Sequence, residues 1–312
     1  MELKPSNNKK LHGMNHFFNE LAILYNTKKM PTKILLSGKK GLGKSTLAYH
    51  MVNHILSTNE EFKYDSINFT INENNRSYKL LLNNSHPNFY LIDLLNEKKN
   101  IDVAQVREMI TYTNKSTFNN MARFILIDNI ENLNKNSVNA LLKVIEEPNE
   151  NVFFILINNS EKNILPTLRS RCLEFKINFT FNESISISNK ILCENIYDYI
   201  NLDLINYYIT PGEIINLINF SKEKNIDLKN YTLINFLNLL IDNKYYKKNK
   251  PVKNLLINCI ELFFLKEYKL TEAKSSLLNF YQSFIKKIYN TEKFNLDEES
   301  LFLEFKSKLL NG

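Results

Sequence analysis

Lys33-Ile34-Leu35-Leu36-Ser37-Gly38-Lys39-Lys40-Gly41-Leu42-Gly43-Lys44-Ser45 decides the fold. Its apolar run, Ile34 to Leu36, leads straight into a glycine-rich turn, and the residues from Lys44 to Leu56 read as a helix, so the order is strand, loop, helix. In that context the match of residues 38–45 to G-x-x-x-x-G-K-[ST] reads as a phosphate-binding loop. The glycines let backbone N–H groups wrap phosphates at the start of the helix. Lys44 brings positive charge to the β and γ phosphates, and the Ser45 hydroxyl can ligate Mg²⁺. Gly38, Gly41, Gly43, Lys44 and Ser45 are therefore candidate nucleotide ligands, with Thr46, the next helical residue, beside them.

Working outward, the apolar runs at residues 89–92, 124–127 and 152–157 are continuous rather than alternating, as expected of strands covered on both faces. Between them, residues 101–112 space Val103, Val106 and Ile110 along one helical face. Residues 138–145 do the same with Val138, Leu141, Leu142 and Ile145 before Pro148 stops the pattern. Strands alternating with helices predict a parallel α/β sheet. Residues 57–85 are Asn-rich and poorly periodic, which predicts a surface insertion. Beyond Asn178 the strand signals fade into helical stripes, such as Leu233, Phe236, Leu237, Leu240 and then Leu256, Cys259, Ile260, Phe263. Thr210-Pro211-Gly212-Glu213 opens a short helix, and residues 221–230 are polar and lysine-rich enough to be a linker. The expected division is an α/β core over 1–178, a helical segment over 179–225 and a second helical domain over 226–312.

Phe124-Ile125-Leu126-Ile127-Asp128 is an apolar strand ending in a carboxylate, which places Asp128 to hold the magnesium's water shell. Hydrolytic phosphate-loop enzymes of this kind have a Glu directly after that Asp, whereas this chain has Asn129, whose amide cannot accept a proton. Glu131 could substitute for that Glu, but it reads rather as an exposed turn residue following the strand. Asn158 and Asn159, at the end of the next strand, are both polar enough to sense a nucleotide. Beyond that strand, Leu165-Pro166-Thr167-Leu168-Arg169-Ser170-Arg171-Cys172 is a short basic segment from which an arginine can point away from its own phosphate loop.

Composition narrows the field. A chain of 312 residues exceeds what a single core usually supports, and its net charge of +7 is compatible with touching phosphate backbones without requiring it. Three cysteines, Cys172, Cys193 and Cys259, are too few and too scattered for a disulfide framework or a zinc cluster. With a polar lysine-containing start and no apolar run long enough to cross a bilayer, the expected location is the cytoplasm.

Taken together, residues 38–45, Ser85-His86-Pro87, residues 101–107, the Asn139-Ala140-Leu141-Leu142-Lys143-Val144-Ile145-Glu146-Glu147-Pro148 stretch and residues 165–172 resemble the clamp-loader branch of the AAA+ ATPases. Ser-His-Pro and Ile101-Asp102-Val103 followed by Val106-Arg107 look like its delta-prime members rather than gamma/tau. The resemblance covers roughly residues 11–179. It implies an α/β P-loop (AAA+) core with a parallel sheet, an all-helical lid and an all-helical C-terminal collar used for oligomerisation. It also implies gamma/tau and delta subunits as partners, with the sliding clamp and primed DNA reached through the complex, and ATP with Mg as ligands. Arg171 matches the arginine finger that completes a neighbouring subunit's ATP site. Glu213 stands where the lid's phosphate-sensing Arg is found, and a carboxylate there would repel a γ-phosphate. The four-cysteine zinc module of many delta-prime relatives has no counterpart in residues 57–85, so no zinc site is expected. A self-sufficient ATPase of gamma/tau type is the competing expectation, favoured by the intact loop.

Overall fold

The computed structural model describes residues 4–95, 98–115, 121–247, 249–272, 274–294 and 296–310. Residues 1–3 of the polar opening stretch lie outside them. The chain divides into two compact units, Met1–Ile191 with Thr210–Gly212, and Leu192–Ile209 with Glu213–Gly312.

The first unit is built on a parallel sheet of β1 (Lys33–Ser37), β2 (Phe89–Ile92), β3 (Arg123–Ile127), β4 (Val152–Asn158) and β5 (Leu173–Lys176), in the order β2-β3-β4-β1-β5. Every pairing is parallel, so all five strands end on one edge of the sheet. Continuous apolar runs suit this sheet because both faces are covered. On one face Ile34, Leu36, Phe124, Leu126, Ile155 and Ile157 join a core with α1 (Asn15–Asn26) and α2 (Lys44–Leu56). On the other, Leu35, Ile125, Ile127, Phe154 and Leu156 pack with α4 (Val103–Thr113) and α5 (Lys135–Glu146). Local sequence sets the helix ends: Asn134 caps α5 by accepting from the Ser137 N–H, and the Asp102 N–H before α4 donates back to Gln105 Oε1.

Residues 57–85 are largely exposed, as expected of a surface insertion, but they are anchored in the core. They contain α3 (Arg76–Leu82), and Tyr64, Ile71, Tyr78 and Leu81 are buried in the same core as α1 and α2. Tyr64 stacks on Phe18 at a centroid distance of 5.1 Å, so scattered aromatics anchor a stretch whose polar residues hide its apolar content. The Ser-His-Pro motif lies at its end. His86 Nδ1 accepts from the Asn88 N–H at 3.1 Å, which leaves the proton on Nε2 to donate to Ser77 Oγ at 3.2 Å, while the Ser77 hydroxyl donates to Glu60. Burial lowers the His86 pKa to about 4, so the ring stays neutral and tethers the loop.

Among its described residues, the regular elements of the second unit are all helical. It contains α9 (Leu233–Asp242), α10 (Lys250–Leu270), α11 (Lys274–Phe294) and α12 (Glu298–Phe305), after α7 (Phe181–Leu192), which lies almost wholly in the first unit. The stripes at Leu233, Phe236, Leu237 and Leu240, and at Leu256, Cys259, Ile260 and Phe263, are buried. The helix opened by Pro211 is not short: α8 runs Pro211–Lys224, and the polar stretch after it holds the buried Leu228, so residues 221–230 are not a linker. Among the described residues no helix is long and apolar enough to cross a membrane.

The central strand β4 has most to lose from a cavity. Phe154→Ala, fully buried between β1, β3 and the α4–α5 layer, should cost about 3–5 kcal/mol. Urea unfolding should show an earlier midpoint at unchanged m-value.

Candidate functional site

The loop between β1 and α2 turns back on itself through glycines at two demanding places. Gly43, the N-cap of α2, sits at φ 89°, a left-handed conformation that side chains resist. At Gly38 a Cβ would lie 2.2 Å from the Ile177 carbonyl oxygen, so backbone packs directly against the loop's first residue.

Within this turn Lys44 is 3% exposed, and its ammonium donates to the carbonyls of Gly38 at 2.8 Å and Lys39 at 2.6 Å. Burial pulls its pKa down to about 8, against the opposing pull of Asp128 and Glu131. A buried cation resting on two carbonyls is a site that an anion would stabilise. Next to it, the Ser45 hydroxyl donates to Asp128 Oδ2 at 2.5 Å. Burial raises the Asp128 pKa, and the neighbouring Asp93 raises it further. Thr46 turns elsewhere, its hydroxyl accepting from Asn8 Nδ2 at 3.3 Å.

Asn129 holds φ 56° and its amide is engaged at both ends, donating to Asp93 Oδ1 at 2.7 Å and accepting from Asn159 Nδ2 at 2.9 Å. Asn159 also reaches Asp128 Oδ1 at 3.4 Å, whereas the Asn158 side chain accepts from the Ser160 N–H. Of the two asparagines left open by the sequence, Asn159 therefore faces the aspartate. Glu131 is not an exposed turn residue. It is 8% exposed in a 3₁₀ turn, Ile130–Asn132, where its carboxylate accepts from the Asn159 backbone N–H at 3.2 and 3.3 Å. Burial raises its pKa. Sequence reasoning missed it because that N–H lies at the end of β4, 28 residues away.

The structure thus gathers the loop, Asp128, Asn129, Glu131 and Asn159 at the carboxyl ends of β1, β3 and β4. Arg171 stands apart from this cluster. It follows α6 (Pro166–Arg169), where its guanidinium meets Glu146 Oε1 at 2.7 Å and donates to the Thr167 carbonyl at 2.7 Å. Arg169 binds Glu174 on β5, which also accepts from the Ser37 hydroxyl at 2.6 Å. A cleft of about 500 Å³ opens beside Gly38, lined among others by Asn158, Lys162, Arg169 and Lys176. Lys44, Ser45 and Asp128 do not line it, so it flanks the loop rather than forming its cradle. Among the described residues, no group of three or more His, Cys, Asp and Glu side chains is placed to hold a metal.

Residues 13–180 match the family model described as DNA polymerase III, delta subunit. The chain is 30% identical over 241 residues to DNA polymerase III subunit gamma of Buchnera aphidicola subsp. Schizaphis graminum, covering 73% of this chain but only 63% of that protein. It is 26% identical to the same organism's DNA polymerase III subunit delta', over 85% of this chain and 81% of that one. Among solved structures, a DNA polymerase III gamma subunit-related protein from Thermotoga maritima aligns with a TM-score of 0.40 and 17% identity, over 83% of this chain and 76% of that chain.

Removing the Glu131 carboxylate leaves the Asn159 N–H buried without its acceptor. Glu131→Ala should cost about 1–3 kcal/mol in urea unfolding, and Glu131→Gln, which keeps an acceptor oxygen, should recover most of it.

Proposed function

The chain belongs to the family described as DNA polymerase III, delta subunit, and from that membership we propose that it is the delta-prime-type subunit of a sliding-clamp loader. In this reading it supports ATP-driven loading of the clamp onto primed DNA in the cytoplasm, assembled with gamma/tau and delta subunits. The three-part division into a core over 1–178, a lid over 179–225 and a collar over 226–312 belongs to the same proposal.

The observation that carries it is the separation of roles within the first unit. The phosphate loop is intact, yet the position after Asp128 holds an amide that is engaged at both ends and cannot take a proton. Arg171 meanwhile lies outside its own cluster, on the half-exposed Glu146. Such an arginine, donated to a neighbouring subunit's site, would stabilise charge on the transferring phosphoryl group and is worth roughly 10³–10⁵ in rate.

The chain's own residues suit ATP with Mg. Gly38, Gly41 and Gly43 open the backbone, Lys44 supplies buried positive charge, and Ser45 with Asp128 bring a hydroxyl and a carboxylate oxygen into contact where a cation would sit. Bound magnesium would neutralise phosphate charge. Asn159 orients Asp128 and Asn129, and Glu131 fixes the backbone that presents Asn159. We infer that this site binds ATP and contributes little turnover of its own. A gamma/tau-like motor is the alternative, favoured by the intact loop.

The deciding measurement is the DNA- and clamp-stimulated ATPase rate of a loader reconstituted with the chain's own partner subunits. Arg171→Ala should lower that rate about 10³-fold or more, while Lys44→Ala should leave it largely intact. Loss of rate with Lys44→Ala alone would instead make this chain a motor.

Binding should also depend on pH through Lys44. Its free-state pKa is about 8 because of burial, and contact with phosphate raises it, so binding above pH 8 must take up a proton. Affinity for a fluorescent ATP analogue should be flat just below pH 8 and fall by up to about tenfold per pH unit above it.

A further inference from the structure

Thr210 and Gly212 lie far along the chain from the phosphate loop, yet both cluster with the first unit and bond to the loop's crown. The Thr210 hydroxyl donates to the Lys40 carbonyl at 3.0 Å across 170 residues, and the Gly212 N–H donates to the Gly41 carbonyl at 2.9 Å. Thr210 is 2% exposed. The approach at Gly212 is backbone on backbone: a Cβ there would lie 2.6 Å from Gly41 Cα and 3.0 Å from the Gly41 oxygen. Pro211 has no N–H, so the Gly212 N–H is the first donor that α8 offers, and the loop satisfies it.

We propose that Thr210-Pro211-Gly212 is a clip that sets the orientation of two phosphate-binding N–H groups in the loop. A trans peptide is planar, with its C=O and N–H pointing in opposite directions. Holding the carbonyls of Lys40 and Gly41 on the clip therefore turns the N–H groups of Gly41 and Leu42 to the opposite side, before any phosphate arrives. Each residue of the tripeptide has a part: Thr210 supplies the hydroxyl, Pro211 leaves the next N–H as the first donor, and Gly212 permits the close approach. Thr210 and Gly212 are positioning residues, and because both bonds end on backbone carbonyls the clip closes without a charged side chain. The proposal rests on reading residues 38–45 as a nucleotide cradle.

Two readouts on the full chain test it: ¹⁵N order parameters of the Gly41 and Leu42 amides without nucleotide, and titration with a fluorescent ATP analogue in the presence of Mg²⁺. Thr210→Val should drop those order parameters from the rigid range near ~0.85 to below about 0.6 and weaken binding by about tenfold, the effect of one lost hydrogen bond. Thr210→Ser, which keeps the hydroxyl, should match the unaltered chain in both. Gly212→Ala should act like Thr210→Val, and the Thr210 pair decides the matter should that variant not fold. Lys44→Ala should abolish binding while leaving the order parameters unchanged. Unchanged order parameters and affinity in Thr210→Val would overturn the proposal, and so would tighter binding, which would make the segment a plug over the cradle. An unaltered chain that binds no nucleotide would refute the cradle reading, and the order parameters would still decide whether the clip orients the loop.

Discussion

Register in the parallel ladder is the constraint on which the site depends. Ser37 pairs with Asn158, Leu36 with Ile157 and Ile127 with Leu156, so the loops after β1, β3 and β4 must leave the same edge side by side. That edge is where the sheet order β4-β1-β5 inserts the first strand between two later ones, and a crevice forms at such a reversal. A slip of one residue in β3 would turn Ile125 and Ile127 toward the α1–α2 core and Phe124 and Leu126 toward the α4–α5 core. Two dissimilar cores, one on each face, therefore hold Asp128 next to Ser45 more firmly than the single hydrogen bond between them could.

Charge inside this crevice is balanced poorly by the protein alone. Lys44 is held in reserve on two carbonyls, and Asp128 and Glu131 are buried carboxylates with raised proton affinity. Phosphate brought in with a divalent cation would improve both sides at once, giving the ammonium an anion and Asp128 a metal-bound water. The polar framework that remains, Asn159 bridging Asp128 and Asn129 while its backbone is held by Glu131, is closed on itself and reserves no group as a proton acceptor at residue 129.

What could be read from the sequence divides along physical lines. β1, the loop and α2 were legible because their chemistry is local: a strand, glycines at a turn and a lysine at a helix start are all neighbours in the chain. Asp128 was legible for the same reason, at the end of an apolar run. β5 was not, since Leu173–Lys176 has only four residues, lies at the sheet edge and buries only Phe175. The anchoring of residues 57–85 depends on a few buried side chains, Tyr64 and Tyr78 among them, that join the core of α1 and α2. Glu131 was misread because its burial follows from a backbone N–H on a different strand, and the choice between Asn158 and Asn159 turned on which residue leaves the strand first.

The two arginines of Arg169-Ser170-Arg171 show why geometry adds to a motif. Arg169 makes paired bonds to Glu174 at 2.9 and 3.0 Å, and Glu174 is in turn held by Ser37 on β1, so moving Arg169 would disturb the packing of β5 on β1. Arg171 uses a single oxygen of Glu146, a carboxylate half exposed at the last turn of α5. An exposed pair of that kind is worth about 0–1 kcal/mol, because water solvates both groups almost as well when they part. The cost of lifting Arg171 off Glu146 is therefore small beside what an arginine gains against a phosphoryl group in a water-excluded site. Of the two, Arg171, held by Glu146 and the Thr167 carbonyl rather than by a carboxylate tied to β1, is the easier to move, as the proposed service to a neighbour's site would require.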